Sequence, residues 1–130
     1  MPDPDARLPI PDSRSRASPA SLLPLSEPVF QILLTLADGP RHGYGVMQEV
    51  DARTDGRVSL GPGTLYGAIK RLRRQGLVEE DEDAAPEAAD ERRRYYRLTR
   101  RGRDVARLEA ARLEGLLDAA RSKRLVRSPT

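Results

Sequence analysis

The chain has 130 residues, 38% hydrophobic and 33% charged, with a net charge of +3 and no cysteine. That length argues for one domain with a modest core, and the missing thiols exclude disulfides, cysteine nucleophiles and cysteine-ligated metals. No apolar run approaches the roughly 18 residues of a membrane span and the N-terminus lacks a secretory apolar stretch, so a cytoplasmic protein is expected. Arginine carries nearly all the positive charge, the only lysines being Lys70 and Lys123. Its planar fork suits phosphates and guanine edges.

Residues 1–25 hold six of the eleven prolines and no helical or strand period, which predicts an extended, disordered arm. A first helix is expected from Ser26, which can cap it, with Glu27 and Pro28 in the first turn. Val29, Ile32, Leu33 and Leu36 recur along it at helical spacing. Asp38-Gly39-Pro40 ends it. "RHGYGVMQEVDART" reads as a second helix with Tyr44, Met47 and Val50 on one stripe. His42, the only histidine, opens that helix and is expected to cap or pack. Alone, it anchors neither a usual zinc site nor a catalytic triad. "VSL" at 58–60 is short and β-branched.

Gly61-Pro62 opens a third helix. At 100° per residue, Leu65, Ala68, Ile69 and Leu72 share about one third of its circumference. Gly63, Gly67, Lys70 and Arg74 lie opposite, flanked by Tyr66 and Arg71. Glycine costs a helix roughly 1 kcal/mol against alanine, and in exchange permits close approach of another surface. Gly76 closes the helix. "LVEED" and "RRRYYRLT" read as two strands around an acidic loop, which makes a hairpin. Thr99 can then cap a helix running to about Leu125. Its apolar stripe (Val105, Leu108, Leu113, Leu116, Leu117 and Ala120) covers about half the circumference, wider than one packing contact needs. A second subunit would use the excess.

Three helices, a hairpin and a last helix make a mainly α fold with a small β-hairpin, the order of a winged helix-turn-helix with a long C-terminal dimerisation helix. The third helix of that architecture enters the DNA major groove and the wing lies beside it. The expected division is an arm over 1–25, a winged-helix DNA-binding domain over 26–99, a dimerisation helix over 100–126 and a tail over 127–130. Candidate DNA contacts are Gly63, Thr64, Tyr66, Gly67, Lys70, Arg71, Arg73 and Arg74, with Arg92, Arg93 and Arg94 from the wing. No catalytic residue, cofactor or metal is expected. "GPGTLYG" misses the dinucleotide fingerprint by one residue of spacing and lacks a βαβ unit.

"HGYGVMQEV", "GPGTLYGAIKRLRRQGLVEE" and "RRRYYRLTRRG", in that order, resemble the signature stretches of the PadR family of bacterial transcriptional regulators, over about residues 27–121. The resemblance implies a homodimeric winged-helix repressor of the branch with one short C-terminal helix. It implies DNA contacts from Thr64, Tyr66 and Lys70 with Arg74, and mainly structural roles for Tyr44 and Tyr96. Two features depart from the pattern. The wing is acidic, with Glu79, Glu80, Asp81, Glu82, Asp83, Glu87, Asp90 and Glu91, which would repel phosphate. The chain has no tryptophan and only Phe30 as phenylalanine, which argues against an aromatic-stacking effector pocket. The expected function is a homodimeric repressor on a near-palindromic operator, with a small-molecule effector left open. The alternative is a winged helix that binds protein instead of DNA.

Overall fold

The structure, a computed structural model, describes residues 18–84 and 94–127. Helix α1 spans Glu27–Ala37. The Ser26 hydroxyl accepts the Val29 N–H at its start, and the helix buries Ile32, Leu33 and Leu36. A two-residue strand, β1 (Arg41–His42), leads into α2 (Gly43–Thr54). His42 is the N-cap of α2: its Nδ1 accepts the Gly45 N–H at 3.0 Å. Asp55 (φ 52°) and Gly56 (φ 76°) turn the chain out of α2 through left-handed backbone. The expected α2 stripe is shifted by part of a turn. Val46 and Val50 are buried, whereas Tyr44 is 60% exposed and so has no core role.

Helix α3 spans Pro62–Arg74. Gly76 (φ 76°) terminates it. The Gly76 N–H reaches the Arg73 carbonyl and the Leu77 N–H the Leu72 carbonyl, at 3.0 and 2.9 Å. This is the paired C-terminal closure that a left-handed glycine makes possible, and both Leu72 and Leu77 are buried beneath it. Strands β2 (Val78–Glu80) and β3 (Tyr95–Leu98) follow, and then α4 (Arg100–Ser122). The 58–60 segment forms no strand; Leu60 packs in the core and Val58 at its edge.

The wing is a three-stranded antiparallel sheet of order β1-β3-β2, not the expected two-stranded hairpin. β1 pairs Arg41 with Tyr96 and His42 with Tyr95. On the other edge, Val78, Glu79 and Glu80 of β2 face Leu98, Arg97 and Tyr96. Asp81 continues this edge, its N–H donating to the Tyr95 carbonyl at 2.8 Å.

Thr99 caps α4, its Oγ1 accepting the Gly102 N–H at 3.0 Å. A Cβ on Gly102 would overlap the Leu77 carbonyl, so glycine lets α4 start flush against the chain end of α3. Val105 is fully buried in the core. It is therefore not at a dimer interface: the first turns of α4 spend their apolar residues on the winged helix itself.

The expected disordered arm does not reach residue 25. Pro19–Leu22 form a 3-10 turn, and Leu22, Leu23 and Leu25 pack on the core; residues 1–17 lie outside the described residues. This segment rests on α4, where Glu109 is buried. The Arg112 guanidinium holds Glu109 at 2.7 and 2.9 Å. Those bonds, with the Leu25 amide and the Arg112 charge, hold its carboxyl below the usual value of 4.5 against the opposing effect of burial. Among the described residues no helix is long and apolar enough to cross a membrane.

Candidate nucleic-acid interface

Helix α3 divides as its pattern predicts. Leu65, Ala68, Ile69 and Leu72 are buried, which anchors the helix on the core. Gly63, Thr64, Lys70, Arg73 and Arg74 are exposed. A Cβ on Gly63 would meet nothing within 4 Å, and one on Gly67 only the Arg71 guanidinium tip at 3.8 Å. The glycine face is therefore open: among the described residues no packing demands glycine there.

Between α3 and the wing lies a concavity of about 560 Å³, lined by Tyr66, Ile69, Lys70, Arg73, Arg74 and Tyr96. Tyr66 is 39% exposed. Its phenol ring covers Gly43, where a Cβ would strike it, so the start of α2 sets the ring's position. Tyr96 is buried at the floor, and that burial, with the Glu80 charge, pushes its phenol pKa up. It stays neutral at physiological pH.

Arg71 stands apart from this group. It lines a smaller cavity of about 170 Å³ with Leu22, Leu25 and Val29, on the side of α3 that meets the N-terminal segment. It is exposed all the same, and its guanidinium tip would lie 3.8 Å from a Cβ on Gly67, at the edge of the open face. Arg94 is exposed and lies 3.8 Å from Glu80; Arg92 and Arg93 lie outside the described residues.

The wing acids that are described are largely countered. Glu79 pairs with Arg97 at 2.8 Å, and Glu80 lies 3.8 Å from both Arg73 and Arg94. Asp81 is buried, 3.3 Å from Arg97, and accepts the N–H groups of Asp83 and Ala84 at 3.1 Å each. It is a turn former whose charge does not face solvent. Glu82 and Asp83 are exposed. Glu87, Asp90 and Glu91 lie outside the described residues. Sequence reasoning treated these acids as one repelling cluster and missed the pairing, although strict alternation along β2 and β3 carries the signal.

From Leu108 onward α4 leaves Leu108, Leu113, Leu116 and Leu117 between 38% and 57% exposed, with Ala120 half-buried. A shallow concavity of about 560 Å³ runs along this face, with Leu113 and Leu117 in its wall. Among the described residues nothing covers these leucines completely.

A helix-turn-helix core whose third helix points a cationic face outward beside a small antiparallel wing is a winged helix. Comparison with known proteins gives the family. Residues 32–108 match the transcriptional regulator PadR-like family, and the chain belongs to it. A relative, an uncharacterized 37.1 kDa protein in transposon TN4556 of Streptomyces fradiae, is 40% identical over 87 residues. That match covers 65% of this chain but only 23% of the relative. A transcriptional regulator from Clostridium thermocellum is similar in structure, with TM-score 0.60 and 26% identity over 72% of this chain and 89% of that one. A PadR family transcription regulator from Clostridium difficile shares the fold at 23% identity and TM-score 0.59, over 72% of this chain and 94% of its own. The family is one of transcriptional regulators and not of enzymes.

Proposed function

We propose that the protein is a sequence-specific DNA-binding repressor that acts as a homodimer on a near-palindromic operator. The observation that carries this reading is the α3 surface, with one face buried and the other cationic and open at Gly63 and Gly67. That face borders a concavity shared with the wing. Lys70, Arg73, Arg74 and Arg94 would supply phosphate and base-edge contacts. Thr64 and the first amides of α3, whose N-cap Gly61 offers no side chain, would hold a further phosphate. Arg71 would serve at most a flanking strand. The exposed leucines of α4 would join two subunits, placing two α3 helices in successive major grooves about 34–36 Å apart or a multiple of that.

The test is a gel-shift titration of the full chain, over a salt series, on DNA from upstream of its own gene. The cleft cations Lys70, Arg73 and Arg74 of each subunit, with Arg94 on the wing, give at most about eight phosphates for a dimer. The plot of log affinity against log salt should then fall with a slope between about −4 and −7. A slope near zero, or no shift with any duplex, would overturn the reading and leave a protein-binding winged helix.

A further inference from the structure

Among the described residues, one carboxylate, Glu80, stands within 4 Å of an arginine that lines the cleft between α3 and the wing. Glu80 and Tyr96 are directly opposite in the β2–β3 ladder, so their side chains leave the sheet on the same face. Tyr96 lines the concavity, so Glu80 points to that side as well. Glu79 and Arg97, one residue away on each strand, pair on the other face. Glu80 thus lies between an arginine of α3 and an arginine of the wing, 3.8 Å from each.

That separation decides what Glu80 does. A charge-assisted hydrogen bond would bring the atoms to about 2.7–2.9 Å and fix the rotamers. At 3.8 Å the contacts are coulombic only, and Arg73 and Arg94 keep about half their side-chain surface exposed, at 45% and 47%. Glu80 therefore does not hold them in place. It lowers the positive potential of the cleft and repels any phosphate that enters it.

Resting on the DNA-binding reading above, we propose that Glu80 is a specificity-setting counter-charge in this cleft. Non-specific binding draws almost entirely on phosphate neutralisation, so a carboxylate beside two phosphate-seeking arginines weakens it most. In a specific complex Arg73 or Arg94 would turn from a phosphate to a neutral base edge, which Glu80 repels far less, so that complex loses less affinity. The ratio of the two affinities rises as a result.

The experiment compares the full-length wild type with Glu80→Gln and Glu80→Asp on two duplexes of equal length. One is selected by the wild type from random sequence, and the other is its scrambled counterpart. Glu80→Gln should bind the scrambled duplex about 1.5- to 5-fold more tightly for each arginine released, the range of exposed ion pairs. Its salt slope should steepen by about 0.9 per phosphate gained, and its ratio of selected to scrambled affinity should fall. Glu80→Asp keeps the charge and should hold the wild-type ratio, which a purely structural role would not predict. In an Arg73→Ala background the effect of Glu80→Gln should shrink. A Glu80→Gln protein that binds the selected duplex but shows unchanged scrambled affinity and slope, or weaker scrambled binding, overturns the inference alone. A wild type that selects no duplex overturns the DNA-binding reading and this inference with it.

Discussion

Gly67 offers a test in which stability and function should move in opposite directions. It sits in the middle of α3, where glycine costs about 0.5–1 kcal/mol relative to alanine. An alanine Cβ there meets only the end of the flexible Arg71 side chain at 3.8 Å, an ordinary contact. Gly67→Ala should therefore stabilise the free protein by about 0.5–1 kcal/mol, raising Tm by about 2–6 °C for a chain of this length. If the glycine face lies against a duplex, the same methyl intrudes on a packed surface, which typically costs about 1–3 kcal/mol. That corresponds to binding weakened roughly fivefold to a hundredfold. The assay is a thermal melt beside a gel-shift titration at one salt concentration. Misfolding cannot imitate a rise in Tm with a loss of affinity. A variant with raised Tm and undiminished operator binding would show that DNA does not approach this face. A lowered Tm would show that the space around Gly67 is not free.

Leu116→Glu should give monomers in sedimentation equilibrium with a retained fold, because Leu116 is 57% exposed in the subunit; persistent dimers would place the interface elsewhere. The same variant should bind operator more weakly, since two half-sites could no longer be engaged together. Acid should weaken the fold partly through Glu109. Its folded carboxyl is depressed below 4.5, so its contribution is present above that pH and is lost as pH falls through the depressed value. In urea melts, the wild-type advantage over Glu109→Gln should be larger at pH 7 than at pH 3. Glu27 is also depressed, by Arg57 and Gln31, but it is common to both proteins and cancels in the comparison. An advantage that does not change with pH would remove Glu109 from the acid response.

The parts of the fold visible in sequence were those set by local spacing. Ser26, Pro62, Gly76 and Thr99 mark helix ends through contacts within one turn, and the structure places each at the expected cap or first turn. The two faces of α3 were legible for the same reason. What failed depended on distant partners. Arg41 and His42 carry no alternation and become a strand only because Tyr95 and Tyr96 lie across from them. The wide stripe of α4 could not say which part its own subunit would take. The core claims Val105 and even the charged Glu109, whose partners are Arg112 and the Leu25 amide. In the N-terminal segment the prolines hid Leu22, Leu23 and Leu25, three apolar residues that lie on the core. Gly43 and Gly102 are glycines for a tertiary reason, the approach of Tyr66 and of the Leu77 carbonyl, which no local pattern announces.

The junction of α4 with α3 bears on how a dimer would read DNA. Only Thr99 separates β3 from α4. Besides capping α4, its hydroxyl donates to the Gly76 carbonyl just past α3, and its N–H donates to the Leu77 carbonyl at 3.0 Å. Arg101 Nε donates to the Gln75 carbonyl, at the C-cap of α3, at 3.2 Å. The start of α4 is thus bonded to the exit of the candidate recognition helix, with no linker between them to absorb a change of angle. In the proposed dimer, the crossing of the two α4 helices would then set the distance between the two α3 helices directly. A ligand or substitution that altered that crossing would alter the half-site spacing the protein accepts, even with every cleft side chain unchanged. Regulation of such a dimer would not need to touch Lys70, Arg73 or Arg74, because the geometry that presents them would be decided at the leucine face of α4.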